Sequence, residues 1–582
     1  MGNKVLKRHD LISVSIKDDS EKLMVIYEIF EFTQKFIYEE IKKIVGKNSS
    51  SSYGHGFSDD MWRNNAKMIL DSVKSAWTDV RIFLDLLENL NDDIEELTIA
   101  LEENYVDRDY RDSYYMHYSE EHSETSRFCV RLLFFKGDFF YSLDKIRISQ
   151  RVFKKLDNCF IGSMVIRPIP GCSIGRTLIS PLFISSLKNV YIRWTEYKVY
   201  YRGHKFLINA FPFRMQDMVT TTCAETTLLN IFDYYSKQYV DYKYMLPSDI
   251  YQICKKQHND RIIPTEGIPY DMISRVFYES GFAPKLYFLN NKKKTGDLNS
   301  VKPIKMLDYY LESGMPVAVG LDYGAIGHSI VCIGHGKCTK DLSNIPVENT
   351  SSMHDDGVYY IDSANLHNNY IFQDDSKSPY IIFEKSQTDD NSIIINQRDV
   401  RINSIVAPLY RRMYMDAVAA KTVILKILAH PRYTPYPKQS NSKKSINIGQ
   451  ATENPLIIRL FIASSRHFKE SRLKSLKNNF LYELYQEIPL PNFIWVCELY
   501  SKESYVDEKP FGEIILDATS PAQGNPLDSC LMICYPERVI AKNIDGSSMF
   551  NKEFDPMDWI NMPNSFSNYM FNAYKRNLNF VI

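Results

Sequence analysis

The chain has 582 residues and a mass of 67.9 kDa, which is too long for one compact core and predicts three or four domains. Its 70 Lys and Arg residues balance 71 Asp and Glu residues, so no overall field attracts nucleic acid or an anionic membrane, and we expect neither as a partner. The ten cysteines include no Cys-x-x-Cys pair, which argues against a disulfide scaffold and a zinc ribbon.

The given sequence also shows no pattern typical of a targeting signal. The first residues, MGNKVLKRHD, lack the apolar run of a signal peptide, and no stretch has the 18 consecutive apolar residues that a membrane span needs. We therefore expect a cytoplasmic protein.

The first two regions of the chain differ in their patterns of apolar and polar residues. Residues 1–103 are predicted to be a helical N-terminal region, because apolar residues recur at helical spacing over 20–46 and the segment 61–103 suggests two more helices. Residues 104–205 contain Tyr-rich, alternating segments such as RFCVRLLFF and FIGSMVIRPIPG, which predict a strand-rich connecting module.

The remaining chain divides at about residue 410. Residues 206–410 alternate helices with strands and hold the residues suited to chemistry. Residues 411–582 are predicted to form a β-rich C-terminal domain, with helices at 411–430 and 468–486 and strands at 455–463, 493–500 and 512–517. The whole sequence thus predicts an α+β protein.

Cys223 has the setting of a nucleophile. Three threonines precede it, and an amphipathic helix follows, with Leu228, Leu229 and Phe232 on one face. Unpaired backbone N–H groups and the helix dipole stabilise an anion at a helix N-terminus, and the thiolate is the nucleophilic form of cysteine.

His328 and Asp362 are the best partners for this thiol. His328 opens an apolar strand in GAIGHSIVCIGHG, where it is held in direction yet open to a cleft. Asp362 ends the strand in GVYYIDSAN, from which its carboxylate can orient the imidazole. Gln216 lies just upstream of Cys223 and can donate to an oxyanion.

This order resembles the papain-like cysteine peptidase superfamily, most closely its bacterial C39-like branch. The best local matches are the interval from His328 to Gly334, the motif VYYID ending at Asp362, and the run MLDYYLESGMPVAVGL at 306–321. The resemblance covers residues 206–410. It implies a papain-like core in which Cys223 is the nucleophile and His328 the general base.

In the same resemblance Asp362 is the orienting residue and Gln216 the oxyanion donor. Six residues separate Gln216 from Cys223, where the family more often has five. The transporter that accompanies many C39 domains has no counterpart here, which argues against leader-peptide processing during export.

Several alternatives remain open at this point. His335 and His354 compete with His328, although both lie in sequences typical of turns. Asn365 or His367 could replace Asp362. The pair His335 and Cys338 has the spacing of half a metal site, but no second pair lies nearby in sequence, so we expect neither a metal nor another cofactor.

The functional hypothesis is hydrolysis of a peptide or isopeptide bond by a cytosolic bacterial thiol enzyme, with a protein or peptide as substrate. The alternatives are an acyltransferase or transpeptidase of the same fold and an inactive papain-like scaffold that binds a protein partner. A further hypothesis is that the flanking regions restrict access to the cleft until a regulatory protein partner or stimulus releases them.

Overall fold

The computed structural model describes most of the chain, and every structural statement below refers to these residues. They are 6–8, 11–45, 59–120, 125–145, 148–257, 267–289, 302–324, 327–338, 342, 345–350, 357–389, 391–431, 433–435, 449, 452–476, 479–520, 526–536, 538–541, 550–551, 555–556, 560–561 and 571–582. The predicted mixture of helices and sheets is confirmed.

A six-stranded antiparallel sheet, with its strands in sequence order, forms the N-terminal part of the chain. Its strands are β1 (Leu6–Arg8), β2 (Leu11–Ser15), β3 (Glu96–Tyr105), β4 (Cys129–Lys136), β5 (Phe160–Ile166) and β6 (Ile174–Ile179). The helices of this part are α1 (Asp19–Ile29), α2 (Gln34–Val45), α3 (Asp59–Ala76), α4 (Thr78–Glu88), α5 (Arg108–Ser113), α6 (Phe140–Leu143) and α7 (Gln150–Cys159).

The N-terminal region is therefore less helical than its sequence predicts. A 3-10 turn at Glu31–Thr33 interrupts the single helix expected over 20–46. The end of the segment 61–103 is strand β3 and not a helix. Leu97 and Ile99 of this strand pack against the helices, whereas Ala100 packs in a different apolar cluster on the other face. A strand buried on both faces loses its polar alternation, so its apolar run resembles a helix.

The middle of the chain begins with a short strand and a hairpin and continues with alternating helices and strands. The first strands are β7 (Val190–Ile192), β8 (Thr195–Tyr201) and β9 (His204–Ala210). The helices are α8 (Cys223–Gln238), α9 (Pro247–Gln257), α10 (Tyr270–Glu279) and α11 (Pro303–Glu312). The strands are β10 (Lys285–Phe288), β11 (Val317–Asp322), β12 (Gly327–Gly336), β13 (Glu348–Asn349), β14 (Tyr359–Asp362), β15 (Asn369–Gln373), β16 (Ile381–Lys385), β17 (Ser392–Ile395) and β18 (Arg398–Ala407).

Six of these strands close into an antiparallel ring. Around the ring, β11 pairs with β12, β12 with β15, β15 with β16, β16 with β17, β17 with β18, and β18 again with β11. The predicted run from a helix through Gly314, Met315 and Pro316 into a core strand is confirmed, because α11 ends at Glu312 and β11 begins at Val317.

The C-terminal part of the chain contributes most strands of a third large sheet, which has eight strands. Its helices are α12 (Ala417–Ala429), α13 (Ser465–Ser475), α14 (Asn479–Glu487) and α15 (Lys502–Val506). Its strands are β19 (Leu456–Ser464), β20 (Phe493–Tyr500), β21 (Gly512–Asp517), β22 (Cys530–Tyr535), β23 (Arg538–Ala541), β24 (Phe550–Asn551), β25 (Asp555–Pro556), β26 (Ile560–Asn561) and β27 (Asn579–Val581). The strands predicted at 455–463, 493–500 and 512–517 are present as β19, β20 and β21.

The three parts are joined by shared sheets and a shared core. Strand β14 pairs in parallel with β19 and so belongs to the C-terminal sheet, although it precedes residue 410. Strand β27 pairs with β7, which in turn pairs with the end of β12. One apolar cluster runs from the N-terminal helices through α8 to β12. Residues 206–410 are thus not structurally separate from their flanks.

None of the helices in the described parts of the chain is long and apolar enough to cross a membrane.

Candidate active site

Cys223 is the first residue of α8, as the sequence predicts. Thr222 is the N-cap, and its backbone N–H donates to the Glu225 carboxylate at 3.1 Å, which fixes where the helix begins. Cys223 is half-buried, whereas residues 224–235 of the helix are buried. The thiol therefore lies at the accessible end of a buried helix, next to backbone N–H groups without helical partners.

Strand β12 packs against this helix and carries His328 to the thiol. The Ser329 hydroxyl donates to the Thr227 hydroxyl at 3.3 Å, which joins the strand to α8. The Cys223 side chain is among the groups that raise the pKa of His328, which places the imidazole beside the thiol. Its Nε2 lies 3.0 Å from Oδ1 of Asp374, which leaves Nδ1 available for a different partner. The imidazole thus connects a thiol with a carboxylate.

Asp374 follows directly after strand β15 and is buried. Its Oδ1 accepts from the backbone N–H of Ser376 at 2.9 Å and from the Ser376 hydroxyl at 2.8 Å. The guanidinium of Arg81, on α4, donates to the carbonyl oxygen of Ser376 at 3.2 Å. The carboxylate is therefore held in one orientation toward His328, and the N-terminal region contributes to holding it.

The electrostatics of this group favour a charged imidazole. Burial by itself lowers the pKa of His328, but hydrogen bonds to Asp374 and Cys223 and the charges of Asp374 and Asp375 raise that pKa to about 11. Burial by itself raises the pKa of Asp374, but the hydrogen bond to His328 and the charge of His328 lower that pKa below its usual value. An imidazolium beside a sulfur stabilises the thiolate that attacks carbonyl groups.

Asp362 is not the carboxylate that contacts His328, so this part of the prediction needs correction. The strand that carries it, β14, belongs to the C-terminal sheet and not to the ring that contains β12. Its carboxylate instead accepts from the hydroxyl of Tyr309 and pairs with the ammonium group of Lys421. The sequence correctly placed an aspartate at the end of a strand but could not show which sheet the strand joins.

The alternatives to Asp362 also lie elsewhere. The side-chain amide of Asn365 donates to Glu348 at 3.4 Å, and His367 contacts Asp308. His335 lies inside β12 rather than in a turn and is buried. His354 lies outside the described residues.

Gln216 begins the loop that leads to the thiol and is half-buried. The next residue, Asp217, is buried, and its Oδ1 accepts from the backbone N–H groups of Val219, Thr220 and Thr221 at 2.7 to 3.0 Å. This fan of hydrogen bonds gives the loop a fixed shape in front of α8. The assignment of Gln216 as an oxyanion donor stays a prediction.

Tyr270 forms one wall of the site. Its hydroxyl donates to the backbone carbonyl of His328 at 3.1 Å, and burial, together with the nearby Cys223 side chain, raises the pKa of Tyr270. A Cβ on Gly320, in the neighbouring strand β11, would lie 2.2 Å from Cζ of Tyr270. Only glycine lets the tyrosine ring approach the strand this closely.

Asp375 adds a second carboxyl group beside the imidazole. Its Oδ1 lies 3.6 Å from Nε2 of His328, and neither of its buried oxygens has a hydrogen-bond partner. Burial is the largest cause that raises the pKa of Asp375 to about 7, and the charge of Asp374 adds to it. This group therefore changes its charge near neutral pH.

Asp374 and Asp375 were missed at the level of sequence, although a signal was present. The segment NYIFQDD is an apolar strand that ends in two aspartates, the same pattern that singled out Asp362. Two clusters of described residues bring three possible metal ligands together, namely His328 with Asp374 and Asp375, and Glu312 with His335 and His367. In the first cluster, Nε2 of His328 and Oδ1 of Asp374 already form hydrogen bonds.

Comparisons with protein-family models, with curated proteins and with solved structures find no match to this chain. The geometry of the site is therefore the basis for its function.

Proposed function

We propose that this protein is a thiol enzyme that hydrolyses a peptide or isopeptide bond, with Cys223 as nucleophile, His328 as general acid and base, and Asp374 as the residue that orients the imidazole. One observation carries the proposal: a single imidazole contacts both the half-buried sulfur at a helix N-terminus and a buried carboxylate. This is the arrangement that nucleophilic catalysis by cysteine requires.

The proposal includes the papain-like fold for residues 206–410. A nucleophile at the start of a buried helix, and a base on an antiparallel sheet packed against that helix, support the resemblance in the sequence. We also propose a cytoplasmic location, because none of the ten cysteines, all of which are described, forms a disulfide and a thiol nucleophile suits a reducing compartment.

The chemistry follows from the proton positions. The sulfur of Cys223 attacks the carbonyl carbon of the substrate, and the N–H of Cys223 at the helix end donates to the oxygen that becomes negative. The C–N bond then breaks, and His328 gives its proton to the leaving amine. Water attacks the resulting thioester and gives one proton to His328, and the C–S bond breaks to release the carboxylic acid and the Cys223 thiolate.

The contact between Arg81 and Ser376 supports the proposal that the flanking regions influence the site. Through this contact, helix α4 holds the turn that positions Asp374. A regulatory partner that displaces α4 would therefore change the orientation of the carboxylate. The full chain is the right material for any test, since β7 and β27 extend the sheet that contains β12.

The first test measures the reactivity of the thiol. The full chain, its His328→Ala variant and its Cys159→Ser variant are treated with iodoacetamide from pH 5 to 9, and the modified cysteines are mapped by mass spectrometry. Cys223 is expected to react at least about tenfold faster than every other thiol below pH 7 in the wild type and in Cys159→Ser, a half-buried control, but not in His328→Ala.

The second test measures bond cleavage. A peptide library made from a bacterial proteome is incubated with the full chain or with Cys223→Ala, and new peptide termini are sequenced. Hydrolysis predicts new termini that are absent with Cys223→Ala. Amine adducts at the new carboxyl ends would show transfer instead, and a reactive Cys223 without any cleaved bond would contradict peptide hydrolysis.

A further inference from the structure

A second cluster of titratable residues lies away from the thiol site. Glu312 is the last residue of α11, His335 is near the end of β12, and His367 follows the 3-10 turn Ser363–Asn365. Their exposed fractions are 5%, 1% and 3%. We propose that these three residues bind one divalent transition-metal ion, and that Zn²⁺ is the ion whose ligand preferences they fit.

The distances between the donor atoms match those around a shared ion. Oε1 of Glu312 lies 3.2 Å from Nε2 of His335 and 3.9 Å from Nε2 of His367. Bonds of about 2.0 to 2.1 Å in a tetrahedral zinc site put neighbouring ligand atoms about 3.3 Å apart. Nε2 of His335 and Oε1 of Glu312 are thus already in contact, and a metal ion between them would replace this contact. The three donor atoms lie within 4.8 Å of one another.

The outer contacts set both imidazoles for metal binding. Nδ1 of His335 lies 2.9 Å from the carbonyl oxygen of Gly336, and Nδ1 of His367 lies 2.6 Å from Oδ1 of Asp308. An imidazole that donates through Nδ1 presents the lone pair of Nε2, which is the form that binds a metal. A carbonyl on one histidine and a carboxylate on the other are the usual partners of zinc-binding histidines.

The carboxylate is oriented in the same way. Oε2 of Glu312 accepts from Nε of Arg459 at 3.0 Å, so Oε1 is the oxygen that faces the imidazoles. The centroids of the two imidazole rings are only 3.9 Å apart. One metal ion can accept the Nε2 lone pairs of two imidazoles that lie this close together.

The cluster borders a cavity of about 230 Å³ between β12 and the C-terminal part of the chain. Its walls also include Tyr191, Cys338, Arg459, Tyr505 and Lys575. Three protein ligands leave a fourth position of a tetrahedral ion open toward this space, which water or a small anion can occupy. The inference is independent of the proposed thiol chemistry, because it shares no residue with that site.

The test uses the full chain, freed of metal with a chelator and then dialysed, in a Cys223→Ser background that removes the proposed catalytic thiol as a competing metal ligand. Zn²⁺ is titrated by calorimetry, and Co²⁺ is titrated while its visible absorption is recorded. We expect one ion per chain and the absorption of a four-coordinate cobalt site. His335→Gln and His367→Gln are expected to weaken binding at least about 100-fold, and Asp308→Asn about 10- to 100-fold.

Two control variants separate this site from others. His467 is exposed on α13, so His467→Gln should bind as the parent chain does. His328→Ala should also retain binding, because His328 belongs to the other cluster. Circular dichroism of the metal-free variants shows whether they fold. No saturable binding to the parent chain would overturn the proposal, as would binding that survives in folded His335→Gln and His367→Gln or disappears in His328→Ala.

Discussion

Two histidines on strand β12 lie in opposite surroundings. His328, at the start of the strand, faces a half-buried thiol and is hydrogen-bonded to Asp374. His335, seven residues later, is 1% exposed and faces a second imidazole and a carboxylate. The surroundings of His328 place a proton beside a candidate nucleophile, and those of His335 bring several possible metal-binding atoms close together.

The difference shows that the partner, rather than the histidine itself, decides the chemistry. Nε2 of His328 is occupied by a hydrogen bond to Asp374, which leaves Nδ1 for the proposed proton transfer. Nδ1 of His335 is occupied by the Gly336 carbonyl, which leaves Nε2 for the proposed metal ion. Which nitrogen is left free depends on residues that only the fold brings into contact.

The largest expected effect is at the carboxylate that holds His328. Asp374→Asn should slow alkylation of Cys223 and any peptide hydrolysis by about 10²- to 10⁴-fold, because an amide no longer stabilises the imidazolium or fixes its tautomer. Rates of iodoacetamide labelling at pH 6 measure the effect. Asp362→Asn is the matched control, and equal losses in both variants would contradict the assignment of Asp374.

Asp362→Asn is expected to affect stability instead of reactivity. Burial raises the pKa of Asp362, but Lys421 and Lys305 and the hydroxyl of Tyr309 lower it to about 2. Removal of one partner from a buried ion pair costs about 3 to 5 kcal/mol, which urea denaturation at pH 7 would measure. Asp93→Asn, at an exposed partner of Lys136, should cost less than about 1 kcal/mol.

The sign of the pH dependence follows from the lowered pKa of Asp362. Its contribution to the free energy of unfolding is fully present above pH of about 4 and is lost as the pH falls toward 2. The wild type should therefore lose its advantage over Asp362→Asn in this acidic range. An advantage that stays constant down to pH 2 would contradict the pairing.

The raised pKa of Asp375 predicts the opposite pH dependence of stability. Its pKa is raised to about 7, so the folded state keeps a proton that the unfolded state releases near pH 4, and stability falls as the pH rises from about 4 to about 7. Asp375→Asn removes this loss. As the pH rises from 4 to 8, the free energy of unfolding of Asp375→Asn should increase by about 2 to 4 kcal/mol relative to that of the wild type, as measured by urea denaturation. An unchanged difference would show that Asp375 is not buried in this way.

The smallest expected effect is at the wall of the thiol site. Gly320→Ala would place a methyl group 2.2 Å from Cζ of Tyr270 and 2.4 Å from the hydroxyl oxygen of Ser404. We expect a loss of about 1 to 3 kcal/mol in stability and slower alkylation of Cys223 as the ring is displaced. Gly327→Ala is the matched control, since its nearest atom would be 3.9 Å away. Equal stabilities of the two variants would contradict the close approach.

Local elements of the site were predictable from the sequence. The start of α8 at Cys223, the strand opened by His328 and the turn before β11 follow from capping residues, apolar runs and a Gly-Met-Pro sequence. The carboxylate partner was not predictable, because Asp362 and Asp374 both end apolar strands. Their difference is the sheet that each strand joins.

The cluster of Glu312, His335 and His367 was even less predictable from the sequence. Glu312, His335 and His367 are separated by 23 and 32 residues along the chain and share no spacing that indicates a metal site. They meet because α11 ends beside β12 and because the turn after β14 returns to both. His335 by itself has the sequence context of an ordinary residue in a glycine-flanked turn.

The sequence by itself determined the α+β character, the helix that presents Cys223 and the strand that presents His328, since capping and apolar periodicity act over a few residues. Tertiary structure alone decided which carboxylate meets His328, where the domains interlock and that His335 meets His367. Those outcomes depend on strand pairing between distant segments, such as β14 with β19 and β7 with β27. Strand pairing is set by burial across the whole core, which no local pattern records.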